Sequence, residues 1–259
     1  MSALLQRWRR ARSGDRAETP DPASPEVRIC RALASHLLAY PDGELLGHLE
    51  MLLTAVADLP EARAELLAPL LVRLETAARD DRALRELQET YVETFDQRRR
   101  GSLYLTYFSH GDTRRRGMAM LGIKQELRDA GVILGDEELP DHLAVVLELA
   151  GTVDAERGQR ILLAHRPGLE LLRLHLQSID SPWAGVVRAV CSTLPELGED
   201  DDAAIARLIA EGPAEEDVGL AGYGAEDGPP HSAPMAWTGP VPLPNPTVRP
   251  REEGASRER

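Results

Sequence analysis

From Glu26 to Ala210 the apolar residues recur at steps of three and four, and nowhere do they alternate at two. A stripe that returns every 3.6 residues is the buried face of a helix, whereas a half-buried strand needs period two. Sheet-containing folds are thereby set aside. The abundance of Ala, Leu, Arg and Glu and an aromatic content of only 4% favour helix in the same way. The expected fold class is all-α, a single helical-bundle domain.

Punctuation divides the pattern. Val27, Cys30, Leu33, Leu37 and Tyr40 share one helical face, and Pro41 ends it. Asp42 is placed to cap a second helix carrying Leu45, Leu49, Leu52 and Val56. Pro60 starts a third, with Leu67, Leu70, Leu71 and Leu74 inward and Pro69 as an expected kink. Asp80 opens a fourth through Leu87, Tyr91 and Phe95. A short helix is expected over Ser102–Ser109, then one from Thr113 to Ala130, capped by Asp112 and ended by Gly131. Pro140 is expected in the first turn of the next helix, with Asp141 complementing its dipole. A helical region over 155–179 broken near Pro167, a helix after Ser181-Pro182-Trp183, and a short one over 202–210 complete the bundle. Connections this short suit antiparallel packing.

Residues 1–25 are polar, basic at first and then Pro-containing, and read as a disordered leader. Within it, Leu4, Leu5 and Trp8 beside the arginines could make a weak membrane-surface helix, but the stretch is too short and too quickly broken to replace the disordered reading. The helical domain is expected over 26–211. From Gly212 onward, nine prolines and seven glycines in 48 residues leave no periodic apolar face, so 212–259 reads as a disordered tail.

The formal net charge of −13 argues against a nucleic-acid binder, which needs a basic field to displace counterions from phosphate. No apolar run approaches the ~20 residues of a membrane span, and the basic N-terminus lacks a secretory apolar core. Two isolated cysteines, Cys30 and Cys191, suit reduced thiols. A cytoplasmic location without stable membrane insertion is therefore expected.

Five of the seven Phe and Tyr residues lie between Tyr91 and Phe108, so the recognition or core capacity of large rings is concentrated there. The flanking loops are rich in Gly and Arg, which a pure core element does not need. Arg114, Arg115 and Arg116 stand in a first helical turn, where the macrodipole disfavours cations, so acidic partners are expected to offset them, with Asp96 and Asp112 the natural candidates. A metal-hydrolase reading gathers His110, Asp112, Glu126, Asp141 and His142. It finds no His-Glu-x-x-His, Cys-x-x-Cys or Glu-x-x-His pattern, and adjacent Asp141 and His142 diverge by about 100° on a helix. No metal and no cofactor of the chain's own is expected.

Several of these stretches together carry a resemblance. Tyr91-Val92-Glu93-Thr94-Phe95-Asp96, Arg98-Arg99-Arg100, Ser102-Leu103-Tyr104-Leu105-Thr106-Tyr107, Gly111-Asp112-Thr113-Arg114, Arg116-Gly117-Met118-Ala119 and Glu138-Leu139-Pro140-Asp141-His142-Leu143 closely resemble the NarJ family, the delta-subunit assembly chaperones of respiratory nitrate reductase. The early Leu37-Leu38-Ala39-Tyr40-Pro41 fits as well. Ala144, where that family often has Pro, and the Pro-rich tail depart from it. The resemblance implies the all-helical fold of redox-enzyme maturation chaperones and a role without catalysis. It implies a partner, the N-terminal segment of the nitrate reductase catalytic (alpha) subunit, held ready for molybdenum-cofactor insertion before membrane assembly. It leaves room for contact with molybdenum-cofactor synthesis proteins, and a chaperone of the same fold serving another molybdoenzyme is the alternative.

A helical scaffold can take an amphipathic client helix into an apolar groove. Tyr104, Tyr107 and Phe108 are the expected anchors. His110, Asp112, Arg116, Asp141 and His142 are expected as a polar rim, with Leu139 and Pro140 in the adjoining turn. The helix between the aromatic run and that turn is about 27 Å long at 1.5 Å per residue. The two ends are therefore expected apart, with a client helix spanning them.

Overall fold

The computed structural model describes residues 20–135 and 138–211. The expected leader lies outside the described residues as far as Thr19, and the expected tail, 212–259, lies outside them entirely. Twelve α-helices and no strand occur among the described residues: α1 Pro25–Leu37, α2 Gly43–Gly47, α3 Leu49–Val56, α4 Glu61–Ala77, α5 Asp81–Phe95, α6 Leu105–His110, α7 Arg114–Asp129, α8 Leu143–Glu148, α9 Ala155–Ala164, α10 Arg166–Ser178, α11 Ala184–Cys191 and α12 Glu199–Glu211. A 3-10 turn covers Arg99–Gly101, and a π turn covers Leu149–Val153.

The starts follow local chemistry. Asp42 accepts from the N–H groups of Glu44 and Leu45, and Asp80 accepts from that of Arg82, each satisfying donors that have no partner within the first turn. Pro60 precedes α4, which runs unbroken through Pro69. The single second helix expected over 43–56 is instead two, which meet at His48 (φ −90°, ψ −2°), whose ring stands edge-on to His36 at 5.7 Å. The π turn after α8 has no signature in the periodicity, since one extra residue per turn leaves the apolar spacing nearly intact.

Helix α1 is the centre of the bundle, packed against α8, the π turn, α11 and α3. Its Val27, Cys30, Ala34 and Leu37 are fully buried. Arg31, also fully buried, donates from Nε to Thr193 Oγ1 (3.1 Å) and from Nη2 to Gln159 Oε1 (2.6 Å) and the Thr193 carbonyl (3.0 Å). Burial lowers its pKa to about 10, still charged at neutral pH. Helix α4 packs against both α5 and α11, and α10 packs against α12, α11 and α6. The buried Leu67, Leu70, Leu71 and Leu74 of α4 contribute about 1.5–3 kcal/mol each before chain entropy is subtracted. Both cysteines are free and buried, and burial pushes the Cys30 thiol up to about 11, which leaves it unreactive.

Candidate functional site

The aromatic run and the turn at 139–142 meet, contrary to the separation expected from the length of the intervening helix. Tyr104 and His142 form an isolated antiparallel bridge. Leu105 N–H donates to the Asp141 carbonyl (2.9 Å), and Leu143 N–H donates to the Leu103 carbonyl (2.8 Å). Leu105 and Leu143 are the first residues of α6 and α8. Each helix thus gives one of its orphan N–H groups to a carbonyl just ahead of the other helix, so the two starts satisfy each other. This also corrects the expected helix start: Pro140 and Asp141 stand in the turn before α8, because His142 is extended (φ −66°, ψ 130°) to make the bridge.

Asp141 lies at the middle of this junction and is fully buried. Its Oδ2 accepts a hydrogen bond from Thr106 Oγ1 on α6 and lies 3.6 Å from Arg116 Nη2 on α7. Arg116 Nη1 donates to Asp112 Oδ1 at 3.1 Å. The guanidinium also stands over the rings of Tyr104 (5.3 Å) and Tyr107 (5.9 Å), an arrangement in which ring faces add to the carboxylates in stabilising a cation. The expected offset of the Arg114–Arg116 cluster is therefore found for Arg116, through Asp112 and Asp141; Asp96 is not one of its carboxylates. Asp112 does not cap α7 as expected. Thr113 holds the extended capping position (φ −105°, ψ 165°) without a side-chain cap bond, and the Asp112 carboxylate turns to Arg116.

Gly111, at φ 56° and ψ −152°, lets the chain double back between α6 and α7 in a region that side chains with a Cβ rarely enter. Phe108 is 1% exposed and faces Gly168 of α10, where an added Cβ would come within 2.7 Å of the Phe108 Cβ. Phe108 is thus a core residue, and Tyr107 is buried as well. Of the three expected anchors only Tyr104 is half-buried, its ring edge-on to His142 at 5.3 Å. On the polar side, Asp141 and Pro140 lie inside, Arg116 is largely covered, His110 and His142 are half-buried, and Asp112 is exposed. Leu139, 41% exposed, stands beside the bridge in sequence and adds apolar surface to it.

Burial holds the His142 imidazole below its ordinary pKa, opposed by Asp141, Glu138 and Asp96. His165, which the sequence reading passed over, is held low by burial and then by His110, with Asp141 opposing. Thr106 was also passed over. The signal for it was the one non-aromatic hydroxyl in the run Leu103–Phe108, where a buried polar atom needs a named partner. Among the described residues no three His, Cys, Asp or Glu side chains gather closely enough to hold a metal, and Asp112 and Asp141 are both committed to Arg116.

Fold and site together define an all-helical scaffold in which the buried Asp141, paired with Arg116, lies where two helix starts and a turn are pinned to each other. A family model described as nitrate reductase delta subunit matches residues 56–189, half of the chain, and the chain belongs to that family. Among similar proteins, the nitrate reductase-like protein NarX of Mycobacterium tuberculosis (strain H37Rv) is 39% identical over 186 residues, 72% of this chain and 27% of that relative. The chain therefore spans about a quarter of NarX. The Bacillus subtilis protein named probable nitrate reductase molybdenum cofactor assembly chaperone NarJ is 29% identical over 171 residues, 66% of this chain and 91% of its own length. The Escherichia coli (strain K12) nitrate reductase molybdenum cofactor assembly chaperone NarJ is 34% identical over 155 residues, 59% and 64% of the two chains.

Proposed function

We propose that this chain is an assembly chaperone for a respiratory nitrate reductase. It binds the N-terminal segment of the catalytic alpha subunit and holds the apoenzyme competent for molybdenum-cofactor insertion, without catalysing a reaction itself. Family membership carries this reading, supported by the names of the Bacillus and Escherichia relatives. No helix among the described residues is long and apolar enough to cross a membrane, which suits work on a client before docking, in the cytoplasm. Contact with the proteins that make the cofactor belongs to the same proposal.

For the client, the surface around the bridge is the site, with Tyr104, Leu139 and His142 in contact and His110 and Asp112 at its edge. Tyr107, Phe108, Arg116, Pro140 and Asp141 support that surface from beneath. A half-buried ring held by a cation and an imidazole is a rigid anchor that loses little entropy on binding. Tyr104→Ala is expected to weaken binding of the alpha-subunit N-terminal peptide about tenfold while the thermal melt stays near the parent's. Titration calorimetry on the folded variant measures it, and parent-like affinity moves the client elsewhere. Co-purification with the tagged full-length chain from nitrate-grown cells decides the client: recovery of a different molybdoenzyme, and not nitrate reductase, overturns the assignment.

A further inference from the structure

We infer that the acidic groove beside Tyr40 is a docking site for the chain's own N-terminal segment, residues 3–12, which occupies it as an internal ligand. The groove, 340 Å³ in volume, has Tyr40 and Val92 as its apolar lining and Glu89 and Glu93 as its acidic wall, with Arg85 at one edge. Tyr40 is 43% exposed, although one edge of its ring packs against Tyr91 at 5.4 Å. Gln88 Nε2 donates to the Pro41 carbonyl (2.8 Å), tying the Tyr40 loop to α5, so the groove exists before anything binds.

The charges ask for a cation. Glu86, on the same helix, is paired with Arg82 at 2.9 Å. Glu89 and Glu93 have no ion-pair partner among the described residues, and at i and i+4 they repel each other. A ligand with basic and apolar residues on neighbouring positions relieves that repulsion and covers Tyr40 together.

Residues 1–19 lie outside the described residues, but their sequence is the complement of this groove. Residues 1–14 contain Arg7, Arg9, Arg10 and Arg12 and no acid, and Leu4, Leu5 and Trp8 fall on one face at helical spacing. The reach is sufficient. The described chain enters α1 at Pro25, and Tyr40 follows the far end of that helix, about 20 Å away. The twelve residues from Trp8 to Pro20 span up to roughly 40 Å when extended. A lipid surface fits this segment less well in a chain of net charge −13, which anionic headgroups repel as a whole. A second copy fits less well because a tethered segment acts at an effective concentration on the order of 1 mM. The inference does not depend on the client reading above, since ligand and groove both belong to this chain.

The test uses the full-length chain and a fluorescent peptide of residues 1–14. Leu5→Asp with Trp8→Ser frees the groove, so peptide affinity is expected to rise about tenfold over the parent, where the tethered copy competes. Adding Glu89→Lys and Glu93→Lys to the freed chain is expected to abolish binding; Glu89→Gln with Glu93→Gln replaces them if circular dichroism shows a folding defect. Equal peptide affinity for the parent and the freed chain overturns the inference, as does binding that survives the loss of both carboxylates. Capture of the parent on phosphatidylglycerol vesicles, lost in the freed chain, also overturns it by assigning the segment to lipid. A dimer that dissociates on dilution and is abolished by the same substitutions overturns it by placing the segment in a second copy's groove.

Discussion

Tyr91 and Phe95 differ from Tyr104 and Tyr107 in what their rings face, although all four belong to one aromatic-rich stretch of sequence. The first pair points inward to Trp183, at 5.3 Å from each ring, in an apolar cluster at the centre of the bundle. Its polar tips are spent on backbone: Tyr91 Oη donates to the Leu38 carbonyl (2.9 Å), and Trp183 Nε1 to the Leu37 carbonyl (3.1 Å). The second pair points toward a guanidinium and an imidazole at the edge of the bundle. The same residue types thus fix the end of α1 in one place and present a ring beside a buried ion pair in the other. Concentration of aromatics in a sequence locates an important region without saying which rings are core and which are surface.

The inner cluster depends most on Trp183. Trp183→Ala leaves a large cavity and an unpaired Leu37 carbonyl, so denaturant melts should show a loss of about 5 kcal/mol. A loss below that of Asp141→Ala would mean that the inner cluster is not the stronger of the two. Asp141→Ala removes the carboxylate from a buried pair and strands Arg116, with an expected loss of about 3–5 kcal/mol. Adding Arg116→Met should restore part of it, and an additive double variant would show that the two side chains are not coupled.

Acidity should separate the two clusters without mutation. His142 and His165 are held below their ordinary pKa, so the folded state takes up protons later than the unfolded chain as pH falls. Their contribution is fully present above about pH 6.5 and is lost progressively below it, until the folded imidazoles protonate. Melts at about pH 7.5 and about pH 5.5 should show a decrease that His165→Gln reduces; an unchanged decrease would place the titration elsewhere. The smallest effect is expected at Asp112, whose carboxylate is mostly in water. Asp112→Ala should stay within about 0.5 kcal/mol of the parent, whereas a true capping residue would lose more.

The parts of this molecule that sequence made legible are those decided within a few residues. Asp42, Asp80, Pro60 and Gly131 mark helix ends because capping and turn chemistry act over one turn. The all-helical class followed from the apolar period for the same reason. The junction of Tyr104 with His142 was hidden because nothing in the spacing of α7 states where its two flanks go in space. Asp141 was misread as rim for a related reason: an acid one residue after a proline looks like a helix-dipole partner until Thr106 and Arg116 are seen to close over it. Family resemblance singled out the stretch, and long-range contacts assigned its residues to inside or outside.

Because Tyr104 and His142 are pinned together, the stretch between them is a closed loop, held at its start by Phe108 of α6 in the core. Helix α7 is fastened within it by Ile123 and Leu127, by Arg116, and by Glu126, which accepts from Arg157 of α9 at 2.6 Å. Its opposite side carries Met118 and Leu121 in solvent. Detaching α7 uncovers Ile123 and Leu127 and takes Arg116 away from Asp141, yet it breaks neither backbone bond of the bridge, so this helix can open as its own cooperative unit. In amide exchange it should lose protection well before α1, with the bridge amides of Leu105 and Leu143 outlasting the helix they enclose.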